Sequence, residues 1–489
     1  MTKKGGRKWR LVLTLLQLVV GSANNQLFAN NLFLSNGLLT GQNTTDHFVV
    51  VQFDINWENS WRDGINWDAC WVFVKYKAWN RDWRHATLNI AGHTAPIGCV
   101  ITTPADGKGV FIYRNANGIG NVTYNGTQLR WNYGADGVAD TDQVMVKVIA
   151  IEMVYVPTGE FTVGDGSSDA NQFSLTLINT PNAVQSGGYP AGQTPPSNGS
   201  WPNGYSAFYC MKYEVTQEQY RDFLNMLTYT QQLARTAVLP ESSPGTRAMT
   251  SGQSFRNGIE IETSGGSPAT PAIYACNLNH DATYNASDDG QNIACNFLSW
   301  ADGAAYSDFA GLRPMTELEF EKACRGSLAS VADEYAWGTR NISGAAGVIN
   351  GGQSSEQATN PGANCNYDGI TQGPMRVGAF AGPATNREMA GATYYGMMEL
   401  SGNQYERAVT IGHAVGRGFM GSDGDGQLSA NGEATNSDWP PRTALGSGFR
   451  GGGWNATASN SRVSDRFIAV TTGPNRTDND GFRCVRFAP

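Results

Sequence analysis

Apolar and polar positions alternate with a period of two through much of the first third of the chain. Good strand patterns occur at residues 48–55, 70–76, 109–113, 129–133 and 144–148, separated by Gly, Asn and Asp. Such runs, recurring about every 15–20 residues with turn signals between them, predict an antiparallel β-sandwich over residues 30–150. The pattern then changes. Residues 151–164 read as a strand, a Pro-x-Gly turn and a second strand. Thr216 with Gln219 three positions later forms a capping box, and Tyr220, Phe223, Leu224 and Leu227 recur at helical spacing. A second helix is expected at 292–300. Thr316 caps another helical stretch, where Glu317 and Glu319 suit the positive end while Leu318, Phe320 and Ala323 face inward. Polar insertions at 172–202 and 242–290 read as surface loops. Residues 481–487 alternate again as a closing strand, preceded by three glycines at 451–453 and a polar stretch rich in Asn, Ser, Thr and Arg. The fold class is therefore mixed α+β, with two main helices and long loops following the sandwich.

Composition narrows the class. Charged residues make up only 16% of the chain while glycine numbers 59, which suits loop-rich β or mixed architecture. The N-terminus carries Lys3, Lys4, Arg7, Lys8 and Arg10, then an apolar run to Val20 and the small residues Gly21, Ser22 and Ala23. These are the parts of a secretory signal peptide over residues 1–23, with cleavage as late as 29. Loss of its five basic residues lowers the net charge from -8 to about -13. So acidic a protein is a poor binder of phosphate backbones, and no nucleic-acid role is expected. No stretch reads as an integral membrane segment. The protein is expected to be secreted, extracellular or on a bacterial cell surface. In an exported chain some of the eight cysteines are expected to pair, with Cys70–Cys99 and Cys276–Cys295 the simplest local choices.

Seven of the 13 tryptophans fall between Trp57 and Trp131. Trp57, Trp61, Trp67, Trp79 and Trp83 lie beside Asn, Asp and Arg, where an aromatic face can stack on a sugar. Packing of these rings over the ends of a thin sandwich is the plainer expectation.

Several segments share one resemblance. The tail from 448 to 489, which opens Gly-Phe-Arg-Gly-Gly-Gly-Trp and closes with Gly481-Phe482-Arg483-Cys484, resembles the closing signature of the formylglycine-generating-enzyme-like (sulfatase-modifying-factor) family. That family has a variant of the C-type-lectin fold. Residues 151–164, 208–224, 311–326, 334–338 and 395–407 resemble its other motifs, although Ala336 replaces a usual proline. Together they define a domain over 151–489.

The resemblance implies a calcium site in 395–407. Glu399 and Glu406 would give side-chain oxygens, and Gly402 and Gln404 backbone carbonyls, as a hard cation requires. A second calcium is implied near 348–350 without ligands that can be named, and the Asp- and Gly-rich segment 422–426 is a further cation candidate or a plain hairpin tip. The family's sulfatase-activating enzymes hold copper with two cysteines on the final loop. Their positions here are Ala456 and Ser461, which offer no sulfur. The only tail cysteine, Cys484, belongs to the closing strand. A branch of iron-dependent sulfoxide synthases needs clustered histidines, and the five here, at 47, 85, 93, 280 and 413, are scattered. Neither copper, iron nor a nucleotide is expected.

What remains is a recognition surface on the final loop: Trp454, Asn455, Asn460, Arg462, Asp465, Arg466, Asn475, Arg476 and Asp478. A related branch, the variable proteins of diversity-generating retroelements, displays ligand-binding residues here. At least two of Arg462, Arg466 and Arg483 are expected in internal salt bridges. The expectation is a non-catalytic exported binding or structural protein, recognising glycans or other surface proteins or assembling as an oligomer. The alternatives are a metal- and oxygen-dependent oxidoreductase with an unrecognised site, and an accessory subunit of a surface export or motility complex.

Overall fold

A computed structural model describes residues 31–489 apart from 80, 185–193 and 197. The expected leader peptide lies outside the described residues. The chain opens with β1 (Phe33–Asn43), β2 (Phe48–Arg62), β3 (Asp68–Ala78), β4 (Arg84–His85), β5 (Cys99–Thr102), β6 (Val110–Arg114), β7 (Gly118–Trp131) and β8 (Val144–Val156). There follow β9 (Phe161–Val163), β10 (Thr176–Ile178), β11 (Phe208–Met211), the helices α1 (Gln217–Leu224) and α2 (Tyr229–Arg235), and the hairpin of β12 (Ile259–Thr263) and β13 (Ile273–Cys276). Next come α3 (Trp300–Phe309), β14 (Arg313–Pro314), α4 (Glu317–Arg325), β15 (Val348–Ile349) and β16 (Gln357–Ala358). The last elements are β17 (Tyr405–Val409), α5 (Ala414–Arg417), β18 (Ser447–Arg450), β19 (Asp480–Gly481) and β20 (Cys484–Phe487). The fold is mixed α+β.

Two sheets build the N-terminal part, a three-stranded one ordered β1-β2-β7 and an eight-stranded one ordered β14-β20-β11-β8-β3-β6-β5, with β4 against β3. The period-two pattern explains their contact. Val49, Val51, Phe53, Ile55 and Trp57 of β2 share one apolar cluster with Cys70, Val72, Val74 and Tyr76 of β3. Trp57 thus lies inside a strand, not in a loop; its indole N–H donates to Asp68 Oδ2 at 2.8 Å. Trp67 stacks on Tyr155 with ring centres 4.0 Å apart, whereas Trp79 is 76% exposed.

β8 joins the two halves of the chain. It pairs with β3 through residues 144–154 and with β11 only through residues 153–156. Its even-numbered residues Val144, Val146, Val148 and Ala150 pack on the N-terminal cluster. Its odd-numbered Ile149, Ile151 and Met153 pack on the cluster that contains Phe223, Trp300 and Phe309. Trp71 Nε1 donates to Ala310 O at 2.8 Å, and Lys75 Nζ to Gly426 O at 2.9 Å. The 422–426 segment therefore packs against the N-terminal sheet, and Asp423 lies 3.7 Å from Arg313 and 3.8 Å from Arg486.

The helices correct two expectations. α1 and α4 start with the expected capping boxes at Thr216 and Thr316. The helix expected at 292–300 instead begins at Trp300, because Ser299 and Asp302 form the capping box and Phe297 has a left-handed φ of 59°. With α2, also capped by a box at Thr228, the described helices outnumber the two expected. The disulfides are a further correction. All eight cysteines are buried free thiols, so neither Cys70–Cys99 nor Cys276–Cys295 is bonded. Each packs as a small apolar group; Cys99 Sγ faces Val100 O at 3.5 Å, and Cys295 Sγ faces Asn296 O at 3.6 Å. Among the described residues no helix is long and apolar enough to cross a membrane.

Candidate functional site

The final loop is built on a close approach of two backbones. β18 runs into Gly451 and Gly452, with φ of 84° and 75°. A Cβ on Gly451 would lie 2.8 Å from Leu400 O, and one on Gly452 would lie 2.5 Å from Ser461 Oγ. Only glycine permits both the left-handed turn and that contact. The tail is thereby pressed onto the 399–404 turn, which is itself strained: Glu399, Gly402 and Asn403 have φ of 56°, 83° and 65°.

This seating divides the nine expected surface residues. Trp454 is only 3% exposed, its indole N–H donates to Asp478 O at 2.9 Å, and its ring lies 5.3 Å from that of Phe255. It anchors the loop and offers no ring face to a ligand. Arg466 is buried and pairs with Glu317 at 2.7 Å, while its planar head covers Phe173. Asp465 is buried and accepts from Phe467 N at 3.3 Å, with burial pushing its carboxyl upward. Arg462 is partly exposed and bridges Asp169 at 2.7 Å and Asp333 at 2.8 Å. Arg476 pairs with Asp302 at 2.8 Å at the mouth of a polar pocket shared with Asn475 and Arg235. Asn455 is exposed and accepts from Asn479 at 2.7 Å; Asn460 accepts from Thr457 Oγ1 at 2.8 Å; Asn475 is exposed, and Asp478 is partly so. Arg462, Arg466 and Arg483 all stand in ion pairs, so at least two of the three are structural, as expected. The solvent-facing remainder is Asn455, Asn460, Arg462, Asn475, Arg476 and Asp478.

Beneath the loop lies a buried polar centre. Glu406 Oε1 accepts from Arg483 Nε at 2.7 Å, and Glu399 Oε1 accepts from Gly378 N at 2.8 Å. The other oxygens of both carboxylates, and both amide atoms of Gln404, are buried without a hydrogen-bond partner. Glu214 completes the centre, accepting from Gln404 N at 2.9 Å and from Asn403 Nδ2 at 2.6 Å. Burial is the main reason Glu399 is raised to about 7, and burial also pushes Glu214 and Glu406 upward. The orphaned oxygens of Glu399, Gln404 and Glu406 have the hard-donor chemistry calcium takes. Among the described residues no three acidic, His or Cys side chains converge as a metal cage, so an ion here would need amide or backbone oxygens beside two carboxylates.

The two vacated catalytic positions lie in the same region. Ala456 is 7% exposed and Ser461 is fully buried, its Oγ without a partner. One thiol does approach. Cys365 Sγ donates to Ser401 O at 3.2 Å, and Ser401 Oγ in turn donates to Ser461 O at 2.6 Å. Burial pushes this thiol well up, so it stays protonated.

Glu214 and Cys365 were missed by sequence reasoning. Glu214 sits in an apolar stretch between Tyr213 and Val215, a position where a carboxylate is buried and must be partnered. That was the available signal; for Cys365 there was none. No curated protein matches the chain. The family of the sulfatase-modifying factor enzyme 1-like domain matches residues 141–488, which takes in β8, the buried carboxylate centre and the whole glycine-seated tail. With these motifs assembled around one centre and most of its length matched, the chain belongs to the sulfatase-modifying-factor, or formylglycine-generating-enzyme-like, family.

Proposed function

We propose that this protein is a non-catalytic, exported member of its family that binds or assembles with other molecules at a cell surface. The observation that carries the reading is the chemistry at the vacated positions. Copper(I) needs soft sulfur, and Ala456 and Ser461 supply a methyl and a hydroxyl, with Cys365 as a lone, buried and protonated thiol nearby. The recognition face in this reading is Asn455, Asn460, Arg462, Asn475, Arg476 and Asp478, whose polar groups suit a glycan or a polar protein surface. Trp454, Asp465 and Arg466 hold that face from below. The N-terminal two-sheet unit is read as a β-sandwich and the C-terminal domain as the C-type-lectin-like variant. A calcium ion held by Glu399 and Glu406, with oxygens of Gly402 and Gln404, would neutralise the buried carboxylates and rigidify the base of the loop.

Metal analysis of the purified full chain tests this. Stoichiometric calcium without copper or iron supports the reading. Copper or iron held by Cys365 and a further soft ligand would instead favour the oxidoreductase reading, for which the link from Cys365 through Ser401 to Ser461 is the motivating observation.

A further inference from the structure

Oxygen-bearing side chains recur at a fixed spacing in the segment after β13: Asn277, Asn279, Asp281, Thr283, Asn285 and Asp288. Counted from Asn277 these are positions 1, 3, 5, 7, 9 and 12, the places from which a twelve-residue calcium loop draws its oxygens. Position 6 of such a loop turns sharply and carries glycine; here it is Ala282, held at a left-handed φ of 66°.

The fold gathers these residues. Asp281 N donates to Asn277 Oδ1 at 3.3 Å and to Asn279 Oδ1 at 3.2 Å, and Thr283 N donates to Asp281 Oδ1 at 2.7 Å. Asn279 Nδ2 stands 3.3 Å from Asp281 Oδ2 and 3.3 Å from Asp288 Oδ2, so one amide lies between two carboxylates. A half turn of that amide puts its oxygen there instead of its nitrogen. Asn277 is 1% exposed and is oriented from outside the loop: its Nδ2 donates to Glu260 Oε2 at 2.8 Å, which turns Oδ1 inward. Asn285 directs its oxygen away, to Arg221 Nη1 at 2.7 Å and Cys276 N at 3.1 Å. Position 9 is thereby left to water, as is common in such loops.

A buried carboxylate points to an ion independently of the spacing. Asp289 is fully buried; its Oδ2 accepts from Ala286 N at 2.6 Å, and its Oδ1 has no hydrogen-bond partner. The strongest charges acting on it are those of Asp288, Asp281 and Glu260, all negative. Asp281 lies at the other end of the loop and Glu260 on β12, so the carboxylate points into the loop between them. The nearby cationic groups attend Glu260, with His280 Nδ1 at 2.6 Å and Arg247 Nη1 at 3.8 Å. Among the described residues, none of Asp281, Asp288 and Asp289 stands in an ion pair. A buried carboxylate among like charges is costly until a cation joins it.

We infer that residues 277–288 form a calcium-binding loop. The carboxylates of Asp281 and Asp288, the amide oxygens of Asn277 and Asn279 and, by its place in the loop, the carbonyl of Thr283 hold the ion, whose charge compensates Asp289 beside it. Three acidic side chains do not meet as one cage, so the set is two carboxylates with neutral oxygens. Hard oxygens without nitrogen or sulfur disfavour a transition metal, and a loop of this kind does not impose the strict octahedron that magnesium demands. With only two charged ligands, half-saturation falls on the order of 10⁻⁴–10⁻³ M. The site is separate from Glu399 and Glu406 and stands or falls apart from any ion there.

The test is amide hydrogen exchange on the full chain, first in chelator and then with calcium alone at about 10 mM, well above that range. Exchange across residues 277–289 should slow at least about tenfold with calcium. Asp281→Asn combined with Asp288→Asn should unfold in chelator within a few degrees of the parent and lose the slowing in this segment. No slowing in the parent would overturn the inference. Equal slowing in the double variant would also overturn it, since the effect would then come from an ion bound elsewhere. Equal slowing by magnesium alone at the same concentration would overturn the choice of calcium. If the double variant does not fold, Asn279→Ala decides: loss of this exposed ligand should raise the calcium concentration for half-maximal slowing at least about tenfold, and no change would overturn the inference.

Discussion

Arg483 Nε lies 2.7 Å from Glu406 Oε1, with both side chains fully excluded from solvent. The remaining guanidinium nitrogens donate to Met211 O at 2.9 Å and Met398 O at 2.7 Å. One cation thereby ties β17 to the end of β11 and to the turn before Glu399. The other oxygen of Glu406 has no partner, so the pair is satisfied on one side only.

Arg483→Met should destabilise the protein by about 3–5 kcal/mol, because it leaves a buried carboxylate without its counter-charge. Combining it with Glu406→Leu should recover part of that loss, since neither charge is then stranded. Urea unfolding of the two variants measures both quantities. A loss below about 1 kcal/mol for the single variant would show the pair to be dispensable.

The buried carboxylates set a pH dependence. Glu399 is raised to about 7 from its ordinary 4.5, and Glu214 and Glu406 move in the same direction. A raised acid favours the folded state when protonated, so its contribution is complete below about 4.5 and is lost as the pH rises through about 7. For Glu399 the shift corresponds to roughly 3 kcal/mol. In the presence of a chelator, the unfolding temperature should therefore fall between about pH 5 and about pH 8. Calcium should restore stability far more at the higher pH, where the carboxylates are ionised. An equal calcium effect at both values would argue against these ligands.

All eight cysteines should react with a thiol reagent in denaturant without reductant, and none should react quickly in the native state. Mass spectrometry of the labelled chain reads the count directly. Fewer than eight labels would mean that bonded pairs exist after all.

Gly303 tests the packing of α3. In an open helix Gly→Ala stabilises by about 1 kcal/mol. Here the new Cβ would stand 1.7 Å from Cδ2 of Phe482, whose ring packs 5.8 Å from Trp300. Overpacking of this kind costs about 1–3 kcal/mol or more, so Gly303→Ala should be clearly destabilising despite its better helix propensity. Gly303→Ala with Phe482→Leu should be milder than Gly303→Ala alone, by thermal denaturation.

Much of the local structure was legible because its causes are local. The capping pairs Thr216–Gln219 and Thr316–Glu319 are three residues apart, and the strands of the first two sheets show their inward faces as alternation. The family motifs were legible for the same reason, being short and contiguous. The late start of α3 was missed because Ser299–Asp302 was not weighed as a cap, although the signal was present.

What only the tertiary structure decided are meetings between residues far apart in the chain. Trp454 reads as a display residue beside asparagines, yet the indole is covered because Phe255 and the carbonyl of Asp478 arrive from distant segments. Glu214 meets Asn403 across 189 positions, and Cys365 meets Ser401 across 36. That β11 pairs with β8 only through residues 153–156 is likewise set by where the two segments meet. Periodicity and capping follow from one segment's own geometry, so the sequence alone determined them. Burial, charge pairing and the exposure of an edge depend on which other segments come near, and those are properties of the packed chain.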